Sequence, residues 1–296
     1  MRVMHFLAAL SLFFLNCSYT VLGAPLGASD AAVAEAAESR CGNEVAPAEV
    51  AAIEARVTQD FKKAADITKR ADPFVVNVAW HVIYTDKTTA GGYLSNELVS
   101  GSMLALNDHY RGSGFTFKYS LGNITRTHND DWFKNARKGT RAESAMKNSL
   151  ARGDSKVLNI YSVGLTGGLL GYATFPWDYA TNQKLDGVVF LHSTIAGGSM
   201  ANYNQGKTLT HEVGHWLGLY HVFQGRSCTG YGDYVADTPP QKTPTSGCPP
   251  SKSSCPNNGG DSIHNFMDYS YDRCLLGFTY GQKERARKMA SFYRGI

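Results

Sequence analysis

From Phe74 to Tyr84 the chain reads FVVNVAWHVIY, a long β-branched and aromatic run that predicts a strand. Leu94 to Tyr110 has helical spacing, with Leu98, Met103, Leu104 and Leu106 expected to face inward. Polar and apolar positions alternate in FTFKYSL (Phe115–Leu121), which predicts a second strand. KVLNIYSV (Lys156–Val163) and DGVVFLHSTI (Asp186–Ile195) read as two more. Between them GLLGYATFPW (Gly168–Trp177) has the look of an edge strand bordering a cleft. Gly281–Tyr293 reads as a polar-faced helix. Residues 224–264 are rich in Gly, Pro, Ser and Asn and carry no such periodicity. The order of elements predicts one α/β domain split by a cleft, with no internal repeat.

The region before Phe74 has another character. Met1–Arg2 supply charge, Phe6–Leu15 is apolar except at Ser11, and Val21–Gly23 offers small residues for cleavage, which together read as a signal peptide over residues 1–23. The apolar run is too short to span a bilayer, and no later run is longer, so no membrane anchor is expected. Residues 24–70 are alanine-rich and charged and read as a pro-segment. Glu49–Ala65 within it could form a helix whose apolar stripe is mostly alanine, and the basic TKRAD (Thr68–Asp72) offers a processing site. Residues 71–296 then form the main domain. The net charge of +4 is too mild and dispersed to suggest nucleic acid. Arg285, Arg287 and Lys288 read as a solvated basic face. A monomer is expected.

The chemistry concentrates in HEVGHWLGLYH, His211 to His221. His211 and His215 are one helical turn apart, so both imidazoles lean from one face and can grip one zinc ion. Glu212 can reach a water on that metal without binding the metal itself. Were the helix to continue, His221 would lie about 15 Å along the axis from His211, too far to share a metal. The chain must turn back, and Gly218 is where a left-handed turn costs least. Val213, Trp216, Leu217 and Leu219 are then expected to anchor the helix in the core.

HNFMDY adds Met267 and Tyr269 downstream. The extended H-E-x-x-H-x-x-G-x-x-H motif followed by a methionine turn resembles the metzincins. More narrowly, HEVGHWLGLYHVF with GCP…IHNFMDYS resembles the pappalysin-type metalloproteinases, including secreted fungal extracellular members. The resemblance covers roughly Pro73 to the C-terminus. It implies a twisted mixed sheet plus helices as an upper lobe, an irregular disulfide-linked lower lobe, and a zinc cleft between them. It implies that Tyr269 lies near the metal, where it could donate to a developing oxyanion. It also implies calcium in the lower lobe, for which Asp233 and Asp237 are the best candidates.

Signal removal takes Cys17 and leaves Cys41, Cys228, Cys248, Cys255 and Cys274, an odd number. Four cysteines after the zinc helix allow three pairings, and spacing alone does not choose. The resemblance implies Cys228–Cys255 and Cys248–Cys274. Cys41, in SRCGNEV, is left over; an Arg-Cys-Gly near the N-terminus of related enzymes fills the open zinc position and keeps them latent. An intermolecular disulfide or an incidental free thiol are the other fates of Cys41. Asn123-Ile124-Thr125 is a glycosylation sequon, meaningful in a secreted chain; Asn16-Cys17-Ser18 lies in the segment to be removed.

The expectation is a secreted, extracellular zinc endopeptidase made as a latent precursor and acting on protein or peptide substrates. The alternative is a non-catalytic, zinc-stabilised secreted binding domain. Glu212 argues against the alternative, because a purely structural zinc site needs no carboxylate there and is closed by four protein ligands.

Overall fold

The computed structural model describes residues 40–63, 73–257 and 259–296. The expected signal peptide, residues 24–39 and the basic site at Thr68–Asp72 lie outside them. Among the described residues, no helix is long and apolar enough to cross a membrane.

The body is built on a six-stranded mixed sheet in the order β2-β1-β4-β6-β5. Its strands are β1 (Phe74–Tyr84), β2 (Phe115–Lys118), β3 (Ile124–His128), β4 (Val157–Val163), β5 (Gly171–Ala173) and β6 (Val188–Leu191). β1 pairs in parallel with β2 through its first half and with β3 through its second, while its other edge pairs in parallel with β4. β4 and β6 are parallel, and β5 closes the edge antiparallel to β6.

Both faces of the central strands are buried, which is why β1 reads as an almost unbroken apolar run rather than an alternating one. Val76, Val78, Trp80 and Val82 join Leu158, Ile160 and Phe190 on one face, under Met103 and Leu106 of α2 (Asn96–His109) and Val213 of α5 (Lys207–Trp216). Ile83, Tyr161, Val163 and Val189 face the other way, against α3 (Asp130–Asn135) and α4 (Arg141–Leu150) through Phe133 and Met146. The short β3 and α3 carry too little apolar periodicity to be read from the sequence, whereas α4, capped by Thr140 through Glu143 N, is amphipathic and was legible but not singled out. Leu104 departs from the expectation for α2: it is 74% exposed, because the stripe buried against the sheet runs through Val99, Met103 and Leu106, and Leu98 is only partly covered. The strands expected over 115–121 and 186–195 are shorter, ending at Lys118 and Leu191, and a 3-10 turn follows each, at Leu121–Asn123 and His192–Thr194.

Among the described residues, 224–279 hold no α-helix and no strand. Cys228–Cys255 and Cys248–Cys274 cross-link this part. α6 (Tyr280–Met289) follows, opened by a capping box between Thr279 and Gln282. The C-terminus then returns to the sheet. Arg294 is fully buried, paired with Asp186 at 3.0 Å and laid over the Trp216 ring at 3.6 Å. Asp186 also accepts from Trp216 Nε1. This network fixes the last turn of α5, the helix that carries the site.

A helix at Pro47–Lys63, α1, packs on the outside of the body. Its buried face is Val50, Glu54 and Val57 rather than an alanine stripe.

Candidate metal centre

α5 ends at Trp216, and Gly218, at φ +91°, turns the chain back. A side chain at Gly218 would also meet Met289, whose Cγ lies 2.7 Å from where a Cβ would sit. The reversal brings His221 beside the helix. His215 Nε2 is 3.2 Å from His211 Nε2 and 3.1 Å from His221 Nε2. All three imidazoles are buried.

These contacts are not hydrogen bonds between the rings. His211 Nδ1 lies 2.7 Å from the Phe266 carbonyl, and His215 Nδ1 lies 2.7 Å from the Leu219 carbonyl. A carbonyl only accepts, so each Nδ1 carries the proton and each Nε2 presents a lone pair. Burial lowers the pKa of His211 to about 4. Burial and the neighbouring imidazoles hold His215 and His221 well below the ordinary value. Neutral nitrogen lone pairs aimed at one point repel one another unless a cation lies among them. This donor set therefore fits a metal ion, and three imidazoles suit zinc. Among the described residues, the group of three or more His, Cys, Asp or Glu side chains placed to hold an ion is Cys41, His211, His215 and His221, with ligand atoms all within 4.8 Å of one another.

Met267 packs beneath the site. Its sulfur would lie 2.5 Å from a Cβ at Gly214, so the helix needs glycine there. The Met267 carbonyl accepts from Val222 N, and Asn265 holds Met267 N. The methionine turn thus ties the segment after the third histidine to the helix carrying the first two. Tyr269 Oη is 3.2 Å from His221 Nε2, and burial raises its pKa well above the ordinary value.

Glu212 is buried and lines the cleft with Cys41, His211 and Tyr269. Strand β5 passes so close that a Cβ at Gly171 would lie 2.7 Å from Glu212 Cγ and Oε1. Burial pushes the Glu212 pKa up to about 8, with the Cys41 thiol pulling back. Cys41 Sγ donates to Glu212 Oε2 at 3.5 Å. Burial, then the facing carboxylate, raises the Cys41 thiol well above its usual value. A bound dication would favour the charged forms of both.

Cys41 arrives on a strand-like segment along β5. Leu170 N donates to Arg40 O at 2.7 Å, Gly42 N to Gly171 O at 2.9 Å, and Ala173 N to Asn43 Oδ1 at 2.9 Å. Arg40 enters the cleft, donating to the Tyr269 carbonyl and covering the Tyr203 ring at 4.8 Å. Lys207 and Asp272 line the same cleft. Arg40, Gly171 and the Phe266 and Leu219 carbonyls were not singled out from the sequence. The carbonyls carry no side-chain signal, and Gly171 is one glycine among 30 until its neighbour is known.

The Asp233 and Asp237 carboxylates are held by different partners. Asp233 accepts from Val235 N and Thr238 Oγ1, while the exposed Asp237 accepts from Gly281 N at the start of α6. Neither belongs to the group placed to hold an ion. Asn123 is exposed at the end of a 3-10 turn. Arg285 is not part of a solvated face: its side chain is 10% exposed and paired with Glu54 at 2.5 Å.

The chain is similar to several known proteins. The family model described as pregnancy-associated plasma protein-A, for M43 peptidases, matches residues 144–291. Extracellular metalloprotease 1 of Coccidioides posadasii is 40% identical over 283 residues, 95% of this chain and 99% of that protein. An extracellular metalloprotease of Colletotrichum graminicola is 39% identical over 287 residues, 95% of this chain and 100% of that one. Among solved structures, a mutant of Tannerella forsythia promirolysin superimposes with a TM-score of 0.71 at 27% identity, covering 86% of this chain and 95% of that one. Mature mirolysin with a cleaved peptide gives 0.63 at 30% identity, covering 74% and 92%.

Proposed function

Since the chain belongs to the pappalysin-type M43 family of metallopeptidases, we propose that it is a secreted zinc endopeptidase made as a latent precursor, with Glu212 as its general base. The observation that carries this reading is the convergence of three Nε2 lone pairs, two of them fixed by carbonyl-bound Nδ1 atoms, beside a buried carboxylate.

His211, His215 and His221 would hold the zinc. Zinc bound there supplies Lewis acidity, polarising a peptide carbonyl and making water nucleophilic near neutral pH. Glu212, buried and held away from bulk solvent, takes the proton of the attacking water and hands it to the departing amine. Gly171 leaves the space that the Glu212 side chain occupies. Tyr269 Oη donates toward the oxygen on which negative charge develops. The main-chain groups of β5 that now pair with residues 40–42 are free to pair with an extended substrate once that segment leaves.

Latency follows from Cys41 and Arg40. The sulfur sits in the ligand group with the three histidines, and Arg40 fills the adjoining cleft. Residues up to about 70 would then be the pro-segment and 71–296 the catalytic domain. Two likenesses support that division: the promirolysin structure matches 86% of this chain, and mature mirolysin matches 74%. The names of the fungal relatives support an extracellular location.

The decisive experiment is Glu212→Ala in the processed protein. Elemental analysis should find one zinc per chain as in the unmutated protein, while hydrolysis of a denatured protein substrate falls by at least about 10²–10⁴-fold. A processed protein without zinc, or a variant with undiminished turnover, would defeat the reading. An unmutated processed protein that keeps its zinc but hydrolyses nothing would favour the non-catalytic, zinc-stabilised binding domain.

A further inference from the structure

Capping the metal site requires only Cys41 and its neighbours, yet α1 makes a second, separate attachment to the body. Val50 and Val57 are buried against Phe175, Trp177, Tyr220 and Met289. Glu54 lies on the same face, four residues after one valine and three before the other. Its carboxylate takes two hydrogen bonds from Arg285, Nη2 at 2.5 Å and Nη1 at 3.1 Å, and a third from Tyr220 Oη at 3.0 Å. Both charged side chains are nine-tenths buried.

The receiving side also holds Arg285 through contacts of its own. Arg285 Nε donates to the Gly218 carbonyl at 2.9 Å, and the guanidinium lies over the Tyr220 ring at 5.1 Å. Gly218 and Tyr220 belong to the turn that delivers His221. Farther along α1, Asp60 accepts from Tyr293 Oη at 2.9 Å, and Phe61 meets Phe292 edge-on at 5.5 Å. A bidentate arginine–carboxylate pair is geometrically selective, and breaking a buried pair leaves an uncompensated charge. A covering helix that served only as a spacer would need no such pair.

We propose that Arg285, Tyr220, Trp177 and Met289 form a docking site for an amphipathic helix that carries a carboxylate on its apolar face, and that its occupant is α1 itself, retained as a non-covalent ligand after the chain is cut between residues 63 and 73. The inference rests on the reading that the segment before residue 73 is excised during activation. Cutting alone then does not open the cleft. The severed segment stays, anchored at Cys41 and again at Glu54, and a second event must remove it. The short path from Arg285 through Gly218 to His221 also places the helix in contact with the turn that carries a metal ligand.

The test uses the full chain carrying Glu212→Ala, to prevent self-digestion, and Cys41→Ser, to remove the sulfur anchor, with a recognition sequence for an unrelated protease placed between residues 63 and 73. After cutting, the zinc-loaded protein is run by size exclusion at micromolar concentration and the body fraction is weighed by mass spectrometry. The N-terminal fragment should co-elute with the body. Glu54→Gln should raise its dissociation constant at least tenfold, followed by Trp177 fluorescence on dilution. Arg285→Gln should do the same, and the double variant should be little worse than either single one. Variants that keep one zinc per chain count as folded, and Val57→Asp should release the fragment through the apolar half of the site. Immediate separation of the Cys41→Ser fragment, or retention unaffected by Glu54→Gln, overturns the docking site and leaves the pro-segment reading standing. N-terminal sequencing of the active, unmutated protein distinguishes the other failure: a start before residue 47 would mean the helix is never excised and would overturn both.

Discussion

The sulfur of Met267 rests directly on the helix backbone at Gly214, where a Cβ would come within 2.5 Å of it. The methionine turn and the two-histidine helix are therefore one packed unit, and the third histidine is tied to it through Val222 N and the Met267 carbonyl. Gly214→Ala should force these elements apart. We expect a loss of roughly 1–3 kcal/mol in denaturant unfolding, together with weaker zinc retention in a chelator competition. Unchanged zinc affinity would mean that the ligands do not depend on this contact.

Cys41→Ala tests the latency reading. With the sulfur gone from the ligand group, the precursor should hydrolyse substrate before the pro-segment is cut, more slowly than the freed catalytic domain because α1 still holds residues 40–42 against β5, and self-processing should quicken. The comparison is made early, with Glu212 intact. A variant precursor as inert as the unmutated one would assign blocking to Arg40 and α1 instead.

Replacing Cys248 and Cys274 together by serine should destabilise the protein by about 2–5 kcal/mol, because this part has no α-helix or strand to hold it. The effect should reach the cleft. Cys274 precedes Leu275, whose carbonyl accepts from the buried Lys207 Nζ at 2.7 Å. Thermal unfolding at fixed zinc measures the loss, and a midpoint unmoved within error would refute it.

His81 lies in the sheet, clear of the metal ligands, bonded to Thr125 Oγ1 at 2.8 Å and Asn159 Oδ1 at 3.0 Å and stacked on Tyr161. Burial lowers its pKa to about 4, against a partial opposing pull from Asn159. The folded state thus binds this proton less tightly than the unfolded chain does. Its contribution to stability is present above about pH 6.5, is lost as pH falls through that range, and levels off below about 4. His81→Gln should flatten the slope of unfolding free energy between pH 6.5 and 4 by up to about 1.4 kcal/mol per pH unit. Urea titrations of both proteins at several pH values give the difference, and parallel slopes would exclude His81 as the group responsible.

The sequence alone determined the parts of this protein that depend on local geometry. The spacing of His211 and His215 specifies one helical face whatever surrounds it, and the distance to His221 requires a break that only Gly218 makes cheap. The long apolar run of β1 specifies a buried strand. The tertiary structure decided what depends on residues far apart in the chain. Arg285 reads as one of three exposed cations until Glu54, 231 positions away, is folded against it. Leu104 fits the helical stripe by spacing, but the sheet packs beside Val99, Met103 and Leu106 and leaves it in water. Gly171 becomes meaningful only when Glu212 is found beneath it, and the tautomers of His211 and His215 are set by backbone carbonyls that no side-chain pattern records. Periodicity reports which face of an element is apolar. Which partner meets that face, and which glycine, carbonyl or buried charge completes the site, is fixed only when the elements pack.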